Sequence, residues 1–419
     1  MPTRALGLGI ALALFAGLPS RADDAELERA LLSGQAWVEF CERLKQSGLR
    51  LLEEDFPGTP RERAEGFRHL ARLAVMGLEW GLEFDDPDFP GFYRHNDDVN
   101  QWGGPNADNV YLRARVRGDS SYRITGNVAT IENLIVSVQN GDMHQERYGV
   151  VGDLDRSQLA IGADGSLELF LSPDPPQPGK NWLQLPPDAD HVGIREYLVD
   201  WERQRPADFA IQKLGNEGRA PPPLSPARVA RGLAAAADWV ESSSRYWNRW
   251  LAESVRGLPP NRVKSTTSVP GGSSDIAYGF GHFDLAPEEA LIVETERPDA
   301  PYWSIQWYTF GWYEEPDFMH RQTSLNNRQA RADADGRVRF VFAASDPGVP
   351  NWIDTAGHRR GQFTYRWIWS KTRPVPEARV VPLAALRAHL PPDTPVLGPE
   401  ERRQQLARRQ LQVQRRYRR

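Results

Sequence analysis

The chain has 419 residues, a formal charge of −5, 40% hydrophobic residues and 26% charged residues. That length suggests two or three domains, and the apolar share permits a packed core and excludes wholesale disorder. A mildly negative charge gives no case for nucleic-acid binding, and a lone cysteine, Cys41, excludes a disulfide framework, a CxxC redox centre and a cysteine-rich zinc site.

The chain opens with Arg4 and then an unbroken run of apolar or small residues over 5–17, too short to span a bilayer comfortably. Ser20 and Ala22 stand at the −3 and −1 positions of a cleavage site, so residues 1–22 are read as a secretory signal peptide and Asp23 as the mature start. A periplasmic or secreted protein is expected.

Residues 23–84 form a predicted N-terminal helical region. Leu27, Leu31, Leu32, Trp37, Phe40, Cys41 and Leu44 recur at three- and four-residue steps, and Gly48 is a weak point. After Pro57 and Pro60 a second helix is predicted over 61–80, with Phe67, Leu70, Leu73, Ala74 and Leu78 on one face. Asp85, Asp86, Pro87 and Pro90 then make a turn cluster.

From Val110 the period changes to that of strands. Short alternating segments at 110–116, 122–124, 131–138, 167–171 and 193–199 predict a first β-sandwich module over 85–219. Pro221, Pro222 and Pro223 form a linker. Ser225 followed by Pro226 starts a helix, as a serine N-cap with proline in the first turn, so 220–260 is linker and helix. A second β-sandwich module is predicted over 261–395 and a basic helix or tail over 396–419. The expected fold class is mainly β with helical segments (α+β): two tandem antiparallel jelly-roll-like β-sandwich modules, each preceded by helices.

The two modules read as copies. Ala163-Asp164-Gly165 pairs with Ala334-Asp335-Gly336, Asn181-Trp182 with Asn351-Trp352, Gly193 to Tyr197 with Gly361 to Tyr365, and Arg205-Pro206 with Arg373-Pro374, at shifts of 171, 170, 168 and 168. Upstream, Asp108 to Tyr111 pairs with Asp275 to Tyr278 at a shift of 167.

The second copy carries a polar stretch with Ser324-Leu325, the Asp335-Gly336 turn and Asn351-Trp352-Ile353 before a final strand. Over about residues 270–385 it resembles the bacterial domain of unknown function numbered twelve-fourteen, with Ile353 in place of the usual Leu. The opening of the first copy, Asn106-Ala107-Asp108-Asn109-Val110-Tyr111, is similar to that of the companion family numbered twelve-fifty-four, with Asn109 in place of Thr. The resemblance implies a jelly-roll-like β fold and brings no catalytic residues.

No GxSxG elbow, P-loop, HExxH or SxxK motif is present. The Asp333-Ala334-Asp335-Gly336 run lacks the first carboxylate of a calcium loop, because Arg331 stands there. His282 and His320 flank the aromatic strand of the second module. With Asp284 or Glu314 they form the candidate acid–base or metal cluster; surface or hydrogen-bonded histidine is the plainer reading. His95, between Arg94 and Asp97, is a further candidate, or part of a polar turn.

The densest signal is aromatic. Alternation puts Trp303, Ile305 and Trp307 on one face of a strand and Gln306, Tyr308 and Phe310 on the other. In a second strand Phe363, Tyr365, Trp367 and Trp369 oppose Thr364, Arg366 and Ile368. Trp303, Trp307, Tyr308, Trp312, Tyr365, Arg366 and Trp367 are therefore the candidate ligand-binding residues, with core packing as the competing role. The tail over 400–419 holds eight Arg against two Glu, with Leu406, Val413 and Tyr417 on one helix face. It can dock on the chain's own acidic surface, on anionic envelope lipid or on acidic glycan.

These features suggest an exported protein that binds a small molecule, such as a carbohydrate or an apolar ligand. The alternatives are a hydrolase or lyase acting through His282, Asp284 and His320, or a structural envelope protein with peripheral envelope contact through its tail. The sequence leaves cofactors, metal dependence, ligand identity and oligomeric state open.

Overall fold

The computed structural model describes residues 21–147, 149–269 and 275–418. The expected leader lies outside them except for Arg21 and Ala22, which begin the first helix. Three helices open the chain: α1 (Arg21–Leu32), α2 (Gln35–Arg50) and α3 (Pro60–Leu78). The break falls at Ser33-Gly34, where Gly34 is left-handed at φ 80°, and the expected weak point, Gly48, lies buried inside α2. Thr59 caps α3 in a reciprocal box with Glu62, and Pro60 sits in its first turn. The inner face of α3 carries Gly66, His69, Leu73 and Met76, while Phe67, expected there, is 47% exposed.

The first module holds β1 (Tyr93–Asn96), β2 (Asn109–Arg115), β3 (Tyr122–Asn127), β4 (Asn133–Gln139), β5 (Val150–Asp155), β6 (Ser166–Ser172), β7 (Asn181–Gln184), β8 (His191–Tyr197) and β9 (Ala210–Lys213). They form a five-stranded sheet, β1-β2-β8-β4-β5, over a four-stranded one, β7-β6-β3-β9. Val110, Ala114, Val136, Val192 and Ile194 from the first sheet meet Tyr122, Ile124, Leu169 and Leu171 from the second in a buried core.

Helix α4 (Pro226–Ser254) follows, with Ser225 accepting from the Arg228 amide as expected. The second module comprises β10 (Arg262–Val263), β11 (Ile276–Asp284), β12 (Glu289–Glu296), β13 (Tyr302–Tyr308), β14 (Ser324–Asn326), β15 (Arg337–Ala343), β16 (Trp352–Asp354), β17 (Arg360–Ile368) and β18 (Glu377–Pro382). Its sheets, β10-β11-β17-β13-β14 and β16-β15-β12-β18, repeat the first module strand for strand. Pairing is antiparallel except for β6–β7 and β15–β16, which are parallel in both copies. Helix α5 (Pro399–Tyr417) closes the chain.

The duplication extends to single hydrogen bonds. The Asn181 amide donates to the Ala160 and Glu168 carbonyls and accepts from the Ala160 N–H; Asn351 does the same with Arg331 and Arg339. The indole of Trp182 donates to the Ser172 carbonyl and that of Trp352 to Ala343. These Asn-Trp pairs pin the loop before β7 or β16 to the neighbouring strand.

One expected match needs correction. Tyr111 faces Arg195 across β2–β8, and Tyr278 faces Arg366 across the equivalent β11–β17 pair. Arg195 therefore corresponds to Arg366, not to Phe363, as the pairing of Gly193 with Gly361 implies. A three-residue slip in a strand swaps its faces, so the sequence comparison sets a core residue opposite a surface one.

Candidate functional site

The outer faces of the two five-stranded sheets turn toward each other, and α4 runs along the junction. Between them lies a cavity of about 170 Å³. The first module presents alternate residues: Asn109, Tyr111 and Arg113 of β2, Ser137 and Gln139 of β4, and His191, Gly193, Arg195 and Tyr197 of β8. The second presents Ile276 and Tyr278 of β11, Arg366 of β17, and Tyr313. Trp247 and Trp250 of α4 add indole walls, and His95 and Trp102 close the first-module end.

A strap from the first module crosses the junction to Arg366 and Tyr313. Gly104 lies at φ 66°, in the left-handed region that glycine enters without penalty. A Cβ there would collide with the Tyr313 ring at 2.2 Å. The Gly104 carbonyl accepts from Arg366 Nη2 at 3.1 Å, and its N–H donates to the Tyr313 carbonyl. Tyr313 is itself left-handed (φ 53°), held by ring contacts with Tyr308, Trp247 and Trp250.

The charges at the cavity are uneven. Arg113 donates to Asp142 at 2.9 Å, and its guanidinium stacks 3.8 Å from the Trp80 ring. Burial works to raise the Asp142 carboxyl, but Arg113 holds it far below the usual carboxylate range. Burial, with the charge of Arg113, lowers His95 and His191, which disfavours their charged forms. Burial likewise pushes the Tyr111, Tyr197 and Tyr313 phenols up. Arg195 and Arg366 remain as cations. Burial opposes their charge, but a guanidinium keeps its proton in a protein, and the pKa of each is raised rather than lowered. Asp153 adds its field to Arg195. Arg366 is 5% exposed and bonds the Tyr308 hydroxyl at 2.8 Å. The Nη1 atoms of Arg195 and Arg366 are buried without a hydrogen-bond partner among the described residues.

Of the ligand-binding residues expected from sequence, Arg366 lines this cavity. Trp303, Trp307, Tyr365 and Trp367 point the other way, into the second module's core. Tyr308 is buried behind the strap and Trp312 packs on Leu51 and Phe56. The expected acid–base residues do not converge. His282 is half-buried on β11 with burial lowering its pKa, Asp284 is salt-bridged to Arg359 at 2.7 Å, and exposed His320 pairs with Asp317 at 2.8 Å. Glu314 is instead buried against His69 at 2.9 Å and Arg72 at 3.0 Å. Among the described residues no group of three or more His, Cys, Asp or Glu side chains is placed to hold a metal.

The family described as "Protein of unknown function (DUF1214)" matches residues 112–198 and 285–372, one stretch in each module. The chain belongs to this family. Both modules are thus DUF1214 repeats, including the first, which the sequence likened to a companion family. A crystal structure of an uncharacterized protein from Burkholderia cenocepacia is similar at 36% identity, with a TM-score of 0.79, covering 85% of this chain and 99% of that one. A Vibrio parahaemolyticus protein aligns at 12% identity with a TM-score of 0.44, over 75% of this chain and 99% of that one. No curated protein matches the chain. The cavity thus forms where two copies of one DUF1214 repeat meet face to face.

Proposed function

We propose that this DUF1214 protein is an exported, periplasmic or secreted binding protein that encloses a small ligand with an apolar or aromatic body between its two modules. The observation that carries the reading is the junction cavity: concave, walled by tyrosine and tryptophan rings, and furnished with a few polar groups. That is the usual make-up of a small-molecule site. Its volume of about 170 Å³ compares with the ~150 Å³ engineered cavity that accepts benzene. The leader pattern over 1–22 supports export, and the outward Arg403, Arg408 and Arg415 of α5 suit peripheral contact with an anionic envelope surface. Because His282, Asp284 and His320 do not converge, the hydrolase or lyase reading is not taken up.

Gly193 supplies the test. A Cβ there meets its nearest neighbour at 3.7 Å, so a larger side chain can enter the cavity without a backbone clash. Gly193→Leu should leave the fold intact and fill the space. Small aromatic compounds, charged and neutral, are screened by thermal denaturation and tryptophan fluorescence. A ligand at 100 times its Kd stabilises by about 2.7 kcal/mol. Ligands that stabilise the native sequence and not Gly193→Leu support the reading; equal shifts in both proteins, or no shift with any compound, refute it.

A further inference from the structure

We infer that the ligand of this cavity is a monocarboxylate, its anionic head held between Arg195 and Arg366; this rests on the binding reading above. Three observations on different levels carry it.

The first is local. Arg366 is 5% exposed, and its Nη2 is committed to the Gly104 carbonyl and the Tyr308 hydroxyl. Its Nη1 is buried without a partner among the described residues, as is Nη1 of Arg195, and both side chains line the cavity. A buried N–H of a charged group without an acceptor is costly, and a carboxylate offers two oxygens in the geometry a guanidinium prefers.

The second is topological. Arg195 stands opposite Tyr111, and Arg366 opposite Tyr278, at equivalent places in equivalent sheets. The duplication has thus set one Tyr–Arg pair on each wall of one cavity. Tyr111, Tyr278, Arg195 and Arg366 all line the cavity, which sets the four side chains around one space. Two pairs facing one space make a two-sided clamp that neither module forms alone.

The third is the balance of charge. The carboxylate among the described lining residues, Asp142, is already bound by Arg113, and burial disfavours the charged forms of His95 and His191. Asp153 offsets part of the charge of Arg195. The site therefore suits one negative charge better than two, and the ring-lined remainder suits an apolar body rather than a second anionic group.

The test uses matched probes on the full mature chain: benzoate, phenylacetate and cinnamate, each beside its own amide, plus phenylphosphonate. Binding is read by calorimetry and tryptophan fluorescence. At least one acid should bind ten-fold or more tighter than its amide and tighter than phenylphosphonate. Arg195→Gln should weaken that acid at least ten-fold and leave the amide's affinity unchanged. Arg366→Gln should weaken it as well, but loss of the Tyr308 and Gly104 bonds can disturb the fold, so the half-buried Arg195 is the deciding variant. If amides or phenylphosphonate bind as well as the acids, or if Arg195→Gln leaves acid binding intact, the carboxylate inference falls while the cavity reading stands. If no probe binds and Gly193→Leu matches the native protein in every titration, both fall.

Discussion

Glu196 lies on β8 between Arg195 and Tyr197, but its side chain points into the first module's core, with 0% exposure. One carboxyl oxygen accepts from the Ala207 N–H at 2.7 Å and the other has no partner among the described residues. Burial, only partly offset by that hydrogen bond, raises its pKa to about 8. In the unfolded chain the same group ionises near 4.3. Between these values the folded state binds the extra proton, so its stability falls as pH rises. The loss is on the order of 1.4 kcal/mol for each pH unit crossed. Glu196→Gln keeps an acceptor for Ala207 and removes the ionisation. Its stability relative to the native sequence should therefore be near parity at pH 4.5 and increasingly favourable toward pH 8, measured by urea denaturation across that range. A difference that does not change with pH would show that Glu196 is not protonated in the fold.

Helix α5 shows how a basic element becomes an internal one. Arg402, Arg409 and Arg416 recur every seventh residue, so they share a stripe, and all three are buried. Arg402 binds Asp346 at 2.9 Å and the Val349 carbonyl; Arg409 binds the Phe318 carbonyl and the Ser324 hydroxyl; Arg416 donates to the Ala107 carbonyl. The guanidinium groups of Arg409 and Arg416 lie 4.4 and 4.3 Å from the Trp201 ring. Arg409→Ala should cost about 3 kcal/mol in denaturant, since it leaves the Phe318 carbonyl and the Ser324 hydroxyl without their buried donor and removes the cation from the Trp201 ring. Arg408→Ala, on the exposed side, should stay within about 0.5 kcal/mol; equal costs would mean that the stripe does not anchor the helix. The sequence showed a basic tail with Val413 and Tyr417 on one face, and both are buried. It did not show that arginines share that face, because arginine is read as solvent-facing by default. Strand faces were more legible. Strict alternation placed Trp303, Ile305 and Trp307 together, as the core has them. What alternation cannot say is which face meets a core and which meets the other module. The rings were therefore read as a site together with Arg366, and of these residues Arg366 lines the cavity.

At the scale of the whole molecule, the repeat was visible in the sequence and its consequence was not. The shift drifts from 167 at Tyr111 and Tyr278 to 171 at Arg195 and Arg366 through unequal loops, so a pairing by motif alone slipped and hid the second arginine. The junction itself needs three dimensions, because it is built from residues far apart in the chain. Ile135, Tyr197 and Val199 of one module pack with Ile276, Tyr302 and Ile368 of the other. Beside them Asp108 accepts from the Trp201 indole at 2.7 Å, the Tyr302 hydroxyl at 2.6 Å and the Asn326 amide at 2.6 Å. Those donors come from both modules, so neither module can unfold without breaking this cluster. Chains of this length commonly unfold in steps, domain by domain. Here the shared core, the Asp108 cluster and the arginine stripe of α5 should merge the modules into one cooperative transition by scanning calorimetry. Asp108→Ala takes one acceptor from Tyr302 and Asn326, which keep Asn106 and Val199, and leaves the Trp201 indole with none; an unsatisfied buried donor costs about 1–3 kcal/mol, so the change should lower that transition or split it in two. Two resolved transitions in the native protein would show instead that the modules fold separately, and that the cavity between them opens without unfolding either one.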